Sequence, residues 1–132
     1  MIDLDLCSET LAIIANLNGI SRDQLDREES VEGENFLWKN NYKISLQKNV
    51  TTNISYLISA FKLANDAIDN GDKLTAMMGL ALAHSEAKRL ENIFAGIQED
   101  SLRMLKIDGR FNWPPIPEKY EIPEKYNFQG RR

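Results

Sequence analysis

The sequence predicts an all-α fold: a long antiparallel helical hairpin, one or two short N-terminal helices packed on it, and an extended Pro/aromatic C-terminal tail. Three observations carry this prediction. Val50, Ile54, Leu57, Ile58, Phe61, Ala64 and Ile68 recur at three- and four-residue steps, the spacing of one helix face, and that face must be buried. Met77, Leu80, Ala83, Ala87, Leu90, Phe94, Ile97 and Leu105 repeat the pattern, with Lys88, Arg89, Glu91, Glu99 and Asp100 on or near the other side. Between the runs stands Asp69-Asn70-Gly71-Asp72. Gly71 can take the left-handed backbone that ends a helix, and Asp72 can accept hydrogen bonds from the free amides that start the next. So short a turn makes the arms antiparallel neighbours.

In chain order, Ser8-Glu9-Thr10 precedes Leu11, Ile13, Ile14 and Leu17, and Asn18-Gly19 closes the run. This predicts a short helix with Ser8 as cap and Gly19 as stop. A helix of two or three turns is not stable alone, so its Leu11, Ile14 and Leu17 edge should dock on the hairpin. Ser21-Arg22-Asp23-Gln24 reads as a capping box that starts a second helix. The acidic segment through Glu34 offers only Leu25 and Val31 as large apolar residues, and is a solvated helix or a loop.

Residues 34–49 admit two readings. As strands, Phe36-Leu37-Trp38-Lys39 and Tyr42-Lys43-Ile44-Ser45-Leu46 flank a tight turn at Asn40-Asn41. As helix, Leu37, Ile44 and Ile58 continue one seven-residue row, and Phe36, Val50, Leu57 and Ala64 another. A second arm from residue 73 to 107 is roughly 52 Å long at 1.5 Å per residue. A first arm reaching back to Glu34 would match it, which favours helix, with Thr51-Thr52-Asn53 as a place for a kink. Matched arms set Ala60, Ala64 and Ala67 near Gly79, Ala83 and Ala87, so the helices should approach closely by the turn. At the other end they set Lys39 and Lys43 near Arg103 and Lys106, where the acidic segment enters.

Beyond Ile107-Asp108-Gly109, Trp113-Pro114-Pro115-Ile116-Pro117 cannot resume a helix. The tail repeats Ile-Pro-Glu-Lys-Tyr at 116–120 and 122–126. The expected division is a helical domain over 1–110 and a tail over 111–132.

The 132 residues, 42% apolar and 27% charged, suit one globular core. A net charge of -4 argues against a general nucleic-acid binder, which needs a basic surface to release counterions. The imbalance is local: nine acids lie within residues 1–35 against Arg22 and Arg27, and the remainder is net positive. The lone Cys7 cannot pair within the chain and fits a reducing compartment, so a cytoplasmic location is expected. The acidic start does not read as a secretory signal. The apolar runs Leu11 to Ala15 and Ala76 to Ala83 fall far short of the ~20 residues of a membrane span.

Two candidate sites emerge. In the tail, Trp113, Ile116, Tyr120, Ile122, Tyr126 and Phe128 sit on a stiff, extended backbone suited to a groove on a protein partner or a sister subunit. The plain alternative is that they fold back over the chain's own hairpin. At the far end, Lys39, Lys43, Arg103 and Lys106, joined by Arg110, form a basic cluster for a small anionic ligand or nucleotide, with Trp38 and Tyr42 near enough to stack on a base. Its plain alternative is pairing with Glu28, Glu29, Glu32 and Glu34. A weaker idea joins Glu28, Glu29 and Glu32 with Asp66 and Asp69 as Mg²⁺ ligands of a nucleotide pyrophosphohydrolase, which all-helical enzymes of that kind resemble in outline. Those acids sit at opposite ends of the hairpin and meet only in an antiparallel dimer. His84 reads as half-buried packing, Met77-Met78 as core filler, and Cys7 as a small apolar residue. No catalytic, metal or cofactor signature stands out.

One stripe per helix is little to bury, and the N-terminal segment adds little to cover it. A homo-oligomer is therefore expected, most simply a dimer with a four-helix core. The expected function is non-enzymatic protein binding, as an adaptor, chaperone, inhibitor or similar accessory protein.

Overall fold

The computed structural model describes residues 2–31, 33 and 35–131, and these are all-α, with no strand among them. The hairpin is formed by α3 (Leu46–Asp69) and α4 (Lys73–Leu102), the latter running on through a π-helical turn at Arg103–Ile107 to give 35 consecutive helical residues. The turn is built as the sequence predicts. Gly71 has φ +69°, and the Asp72 carboxylate accepts a hydrogen bond from Thr75 N at 3.0 Å.

The first arm is shorter than predicted, beginning at Leu46 and not at Glu34. Ser45 caps it, its hydroxyl accepting from Lys48 N at 3.1 Å. Residues 35–45 form neither the extended helix nor a β-hairpin; Phe36 makes one isolated bridge with Glu29. The reason is where the backbone donors go. The amides of Lys39 and Asn40 donate to the Asp100 carboxylate, and the Asn41 side chain accepts from Lys43 N in a local turn, so they are spent outside any helix. Glu34 itself lies outside the described residues.

Helix α1 (Asp5–Leu17) starts one turn before the expected Ser8 cap. Ser8 is instead buried on the inner face, accepting a hydrogen bond from Asn40 Nδ2 at 3.0 Å. Asp5 ties α1 to the start of α3, accepting from Gln47 N at 3.1 Å and from the Ser45 hydroxyl. Of the expected docking edge, Leu11 is buried and Ile14 half-buried, but Leu17 is exposed; Ala15 and Ile20 fill the core in its place. Helix α2 (Arg22–Arg27) has the predicted capping box, Gln24 N to Ser21 Oγ at 3.2 Å and Ser21 N to Gln24 Oε1 at 2.8 Å.

The main core lies at the end away from the turn. Leu11, Ala15, Ile20, Leu25, Trp38, Tyr42, Met104 and Phe111 pack there, with the Trp38 and Phe111 rings edge to face at 6.1 Å. The last third of α4, beyond the reach of α3, is thus covered by α1, on which α2 packs, and by the 35–45 segment. Nearer the turn the seam between α3 and α4 is made of Ala60, Ala64 and Ala67 against Gly79 and Ala83. A Cβ on Gly79 would stand 2.8 Å from Ala64 N and 2.9 Å from Ala60 O, so the two backbones touch. The approach leaves no room for large side chains. Ile54, Ile58, Phe61, Ile68, Met77, Leu80 and Phe94, predicted to fill this seam, flank it and are 45% to 66% exposed. No helix among the described residues is long and apolar enough to cross a membrane.

Candidate functional site

Asp100 organises the far end. Its side chain is fully buried, although the helical periodicity set it on or near the side opposite the apolar row. It is admitted because Gly96, one turn earlier, lets the backbone of Lys39 and Asn40 approach: a Cβ there would stand 3.2 Å from Asn40 Cα and Lys39 O. The carboxylate then accepts from Lys39 N at 2.7 Å, Asn40 N at 2.9 Å and the Tyr42 hydroxyl at 2.8 Å. Burial pushes the Asp100 carboxyl above its usual range, against the pull of these three donors. Burial, with the Asp100 charge beside it, also raises the Tyr42 phenol, which stays a protonated donor. Arg22 closes the loop by donating to Tyr42 O at 3.2 Å.

The basic cluster is divided by this arrangement. Arg110 is committed to acids: it meets Glu28 with two nitrogens, one at 3.1 Å, and Asp108 at 2.6 Å. These partners hold the Arg110 guanidinium protonated, and Arg110 in turn keeps Asp108 below the usual carboxylate range. The Glu28 share of the expected acid pairing is therefore present, whereas Glu32 and Glu34 lie outside the described residues. Lys39, Lys43, Arg103 and Lys106 form no ion pair among the described residues. Trp38 and Tyr42 cannot stack on a base, because both rings are buried in the core with no open face.

One cleft gathers part of the predicted set. Trp38, Lys39 and Lys43 line it with Asn40, Asn41 and Asp26, but Arg103 and Lys106 do not. The Trp38 indole Nε1 is buried without a hydrogen-bond partner.

The tail departs from a point later than predicted. Phe111 belongs to the core, and Trp113 donates its indole N–H to Met104 O at 2.9 Å, so the packed part of the chain runs through Trp113. Past it, Ile116, Tyr120, Ile122, Tyr126 and Phe128 are all exposed. Both copies of the repeat make the same turn, Tyr120 N to Pro117 O and Tyr126 N to Pro123 O at 3.2 Å each. They end differently: Lys119 is left-handed in the first copy, and Asn127 is left-handed just after the second.

His84 and Cys7 are exposed, not packing residues. The acids raised as Mg²⁺ ligands do not converge: Glu28 is held by Arg110 beyond the far end of α4, while Asp66 and Asp69 lie in the last turn of α3. No group of three or more His, Cys, Asp or Glu among the described residues is placed to hold a metal ion. No protein-family model, no curated protein and no solved structure matches the chain.

Proposed function

We propose that the chain is a non-enzymatic protein-binding module of adaptor, chaperone or inhibitor type, acting in the cytoplasm as a small helical homo-oligomer. The observation that supports this most is where its large apolar side chains lie. Most of those beyond the far-end core are outside, on the flanks of the hairpin and along the tail, while the site richest in hydrogen bonds, around Asp100, is spent holding the fold. Exposed apolar surface on this scale marks association. In the tail, Ile116, Tyr120, Ile122, Tyr126 and Phe128 ride on a proline-stiffened backbone that loses little entropy on entering a groove. The single exposed thiol, Cys7, suits a reducing setting.

The test compares the full chain with one lacking residues 114–132, a cut placed after Trp113 to spare the core. Proteins retained from an extract of the source cells by the full chain, and lost with the tail, are the expected result. Identical retention by both chains, or none by either, overturns the role given to the tail.

A second reading, a binder of a small anion, has one observation in its favour: Trp38, whose buried Nε1 has no hydrogen-bond partner, lines a cleft with Lys39 and Lys43. Asp26 in the same wall offsets part of that charge. In a Trp113→Phe background, phosphate or a nucleotide should change Trp38 fluorescence at sub-millimolar concentration, and Lys43→Ala should weaken the response. A flat titration removes this reading.

A further inference from the structure

We propose that the hairpin is completed by a second copy of the chain in an antiparallel two-fold pairing, α3 on α3 and α4 on α4, with Phe61 and Leu80 of each copy beside the axis. This rests on the reading of the chain as a homo-oligomer, and it adds which face pairs and in which direction.

The flanks of the seam are not equivalent. One carries Ile54, Ile58, Phe61 and Ile68 of α3 beside Met77 and Leu80 of α4, all at least 45% exposed, and four of these line a shallow apolar groove with Ala64 at its floor. The α3 row along this flank, from Thr51 through Asn65 to Ile68, contains no charge, so that row offers a charged partner nothing to pair with. The opposite flank also exposes Tyr56, Leu63, Met78 and Leu82, but Asp66 and Arg89 interrupt it.

The spacing of the uncharged row selects the occupant. Ile54 and Ile68 stand seven residues before and after Phe61, so a half-turn about Phe61 lays the row on itself. Ile54 then meets Ile68 of the other copy and Phe61 meets Phe61, as an isologous contact requires. On α4 the same rotation brings Lys73, near the turn, to within about one helical turn of Glu91 of the other copy, opposite charges at the rim. Half-exposed side chains of this size offer roughly 100 Å² each, so the six from each copy bury about 1,200 Å² together, the lower bound for a stable specific interface. The seam supplies the need: alanine and glycine alone bury little apolar surface inside one hairpin.

The experiment uses the full chain in a Cys7→Ser background, with mass measured by sedimentation equilibrium and helicity by circular dichroism. A dimer is expected at micromolar concentration. Phe61→Glu should weaken it on the order of 100-fold, whereas Leu63→Glu on the opposite flank should leave it intact. Phe61→Cys should form a disulfide-linked dimer on mild oxidation, since two copies of residue 61 meet at the axis, and Leu63→Cys should not. The cross-link keeps the test decisive if the charged variant unfolds. A monomer at all concentrations overturns both the pairing and the homo-oligomer reading. A dimer that does not cross-link through position 61 overturns the pairing alone.

Discussion

The two ends of the hairpin are stabilised by opposite means. At the far end, segments from five parts of the chain meet around one buried carboxylate, and large side chains such as Trp38, Tyr42, Met104 and Phe111 fill the space between them. At the turn end only two helices meet, their backbones touch through alanine and glycine, and the large side chains are left outside. Close contact between backbones and deep burial of large side chains exclude each other within a single helical pair. The far end escapes the conflict by recruiting α1, α2 and residues 35–45; at the turn end no further segment among the described residues packs on the two helices.

Variants at each end test the contrast. Asp100→Ala leaves the amides of Lys39 and Asn40 and the Tyr42 hydroxyl without an acceptor, and should lower unfolding free energy by about 3–5 kcal/mol in urea titrations. A loss under 1 kcal/mol would mean that the far end does not depend on this carboxylate. Gly79→Ala gains about 1 kcal/mol of helix propensity but drives a Cβ into the backbone of α3. A net loss of about 1–3 kcal/mol is expected, and a stabilised variant would show that the turn end is loosely packed.

Acid should loosen the join between α1 and α3. The Gln47 amide and Ser45 hydroxyl hold the Asp5 carboxyl below its ordinary 3.8, so its contribution is present above that pH and lost as pH falls below it. The stability gap between wild type and Asp5→Asn should therefore be open at pH 7 and close below pH 3.8, read from thermal melts across that range. Asp100, raised by burial, carries the opposite sign: its ionisation costs stability as pH rises past 3.8 through its higher folded value. The smallest effect is expected at Gly96→Ala. The new Cβ meets the Lys39–Asn40 backbone at 3.2 Å, a segment that its hydrogen bonds to Asp100 hold in place, so a net loss of about 1 kcal/mol is expected after the propensity gain, and a stabilised variant would show that this backbone gives way.

Local signals in the sequence were legible because local chemistry decides them. Gly71 with Asp72, and Ser21 with Gln24, each complete their hydrogen bonds within a few residues. The start of α3 was harder to read, since Leu37 and Ile44 fall by chance in register with a helix face. Ser45 was the available signal, a capping residue just ahead of Leu46. Asp100 was read as solvent-facing because its partners, at residues 39, 40 and 42, lie some sixty positions away in the chain. Gly96 one turn before it was the only local hint. The periodic rows correctly gave two helices but misplaced their contact: a three- and four-residue pattern identifies an apolar side, not the strip along which a neighbour sits. Of the far-end site, Lys39 and Lys43 do share a cleft, whereas the aromatic residues beside them were needed for the core.

The π-helical turn at Arg103–Ile107 holds one residue more than an α-helical turn, with Asp108 N bonding back to Arg103 O. Deleting a single residue within it would restore an ordinary helix and rotate everything downstream by about 100° around the helix axis. Phe111 would swing off the ring of Trp38, and the tail would leave from another side of the molecule. One supernumerary residue thus sets the compass bearing on which the repeated Ile-Pro-Glu-Lys-Tyr motif is presented.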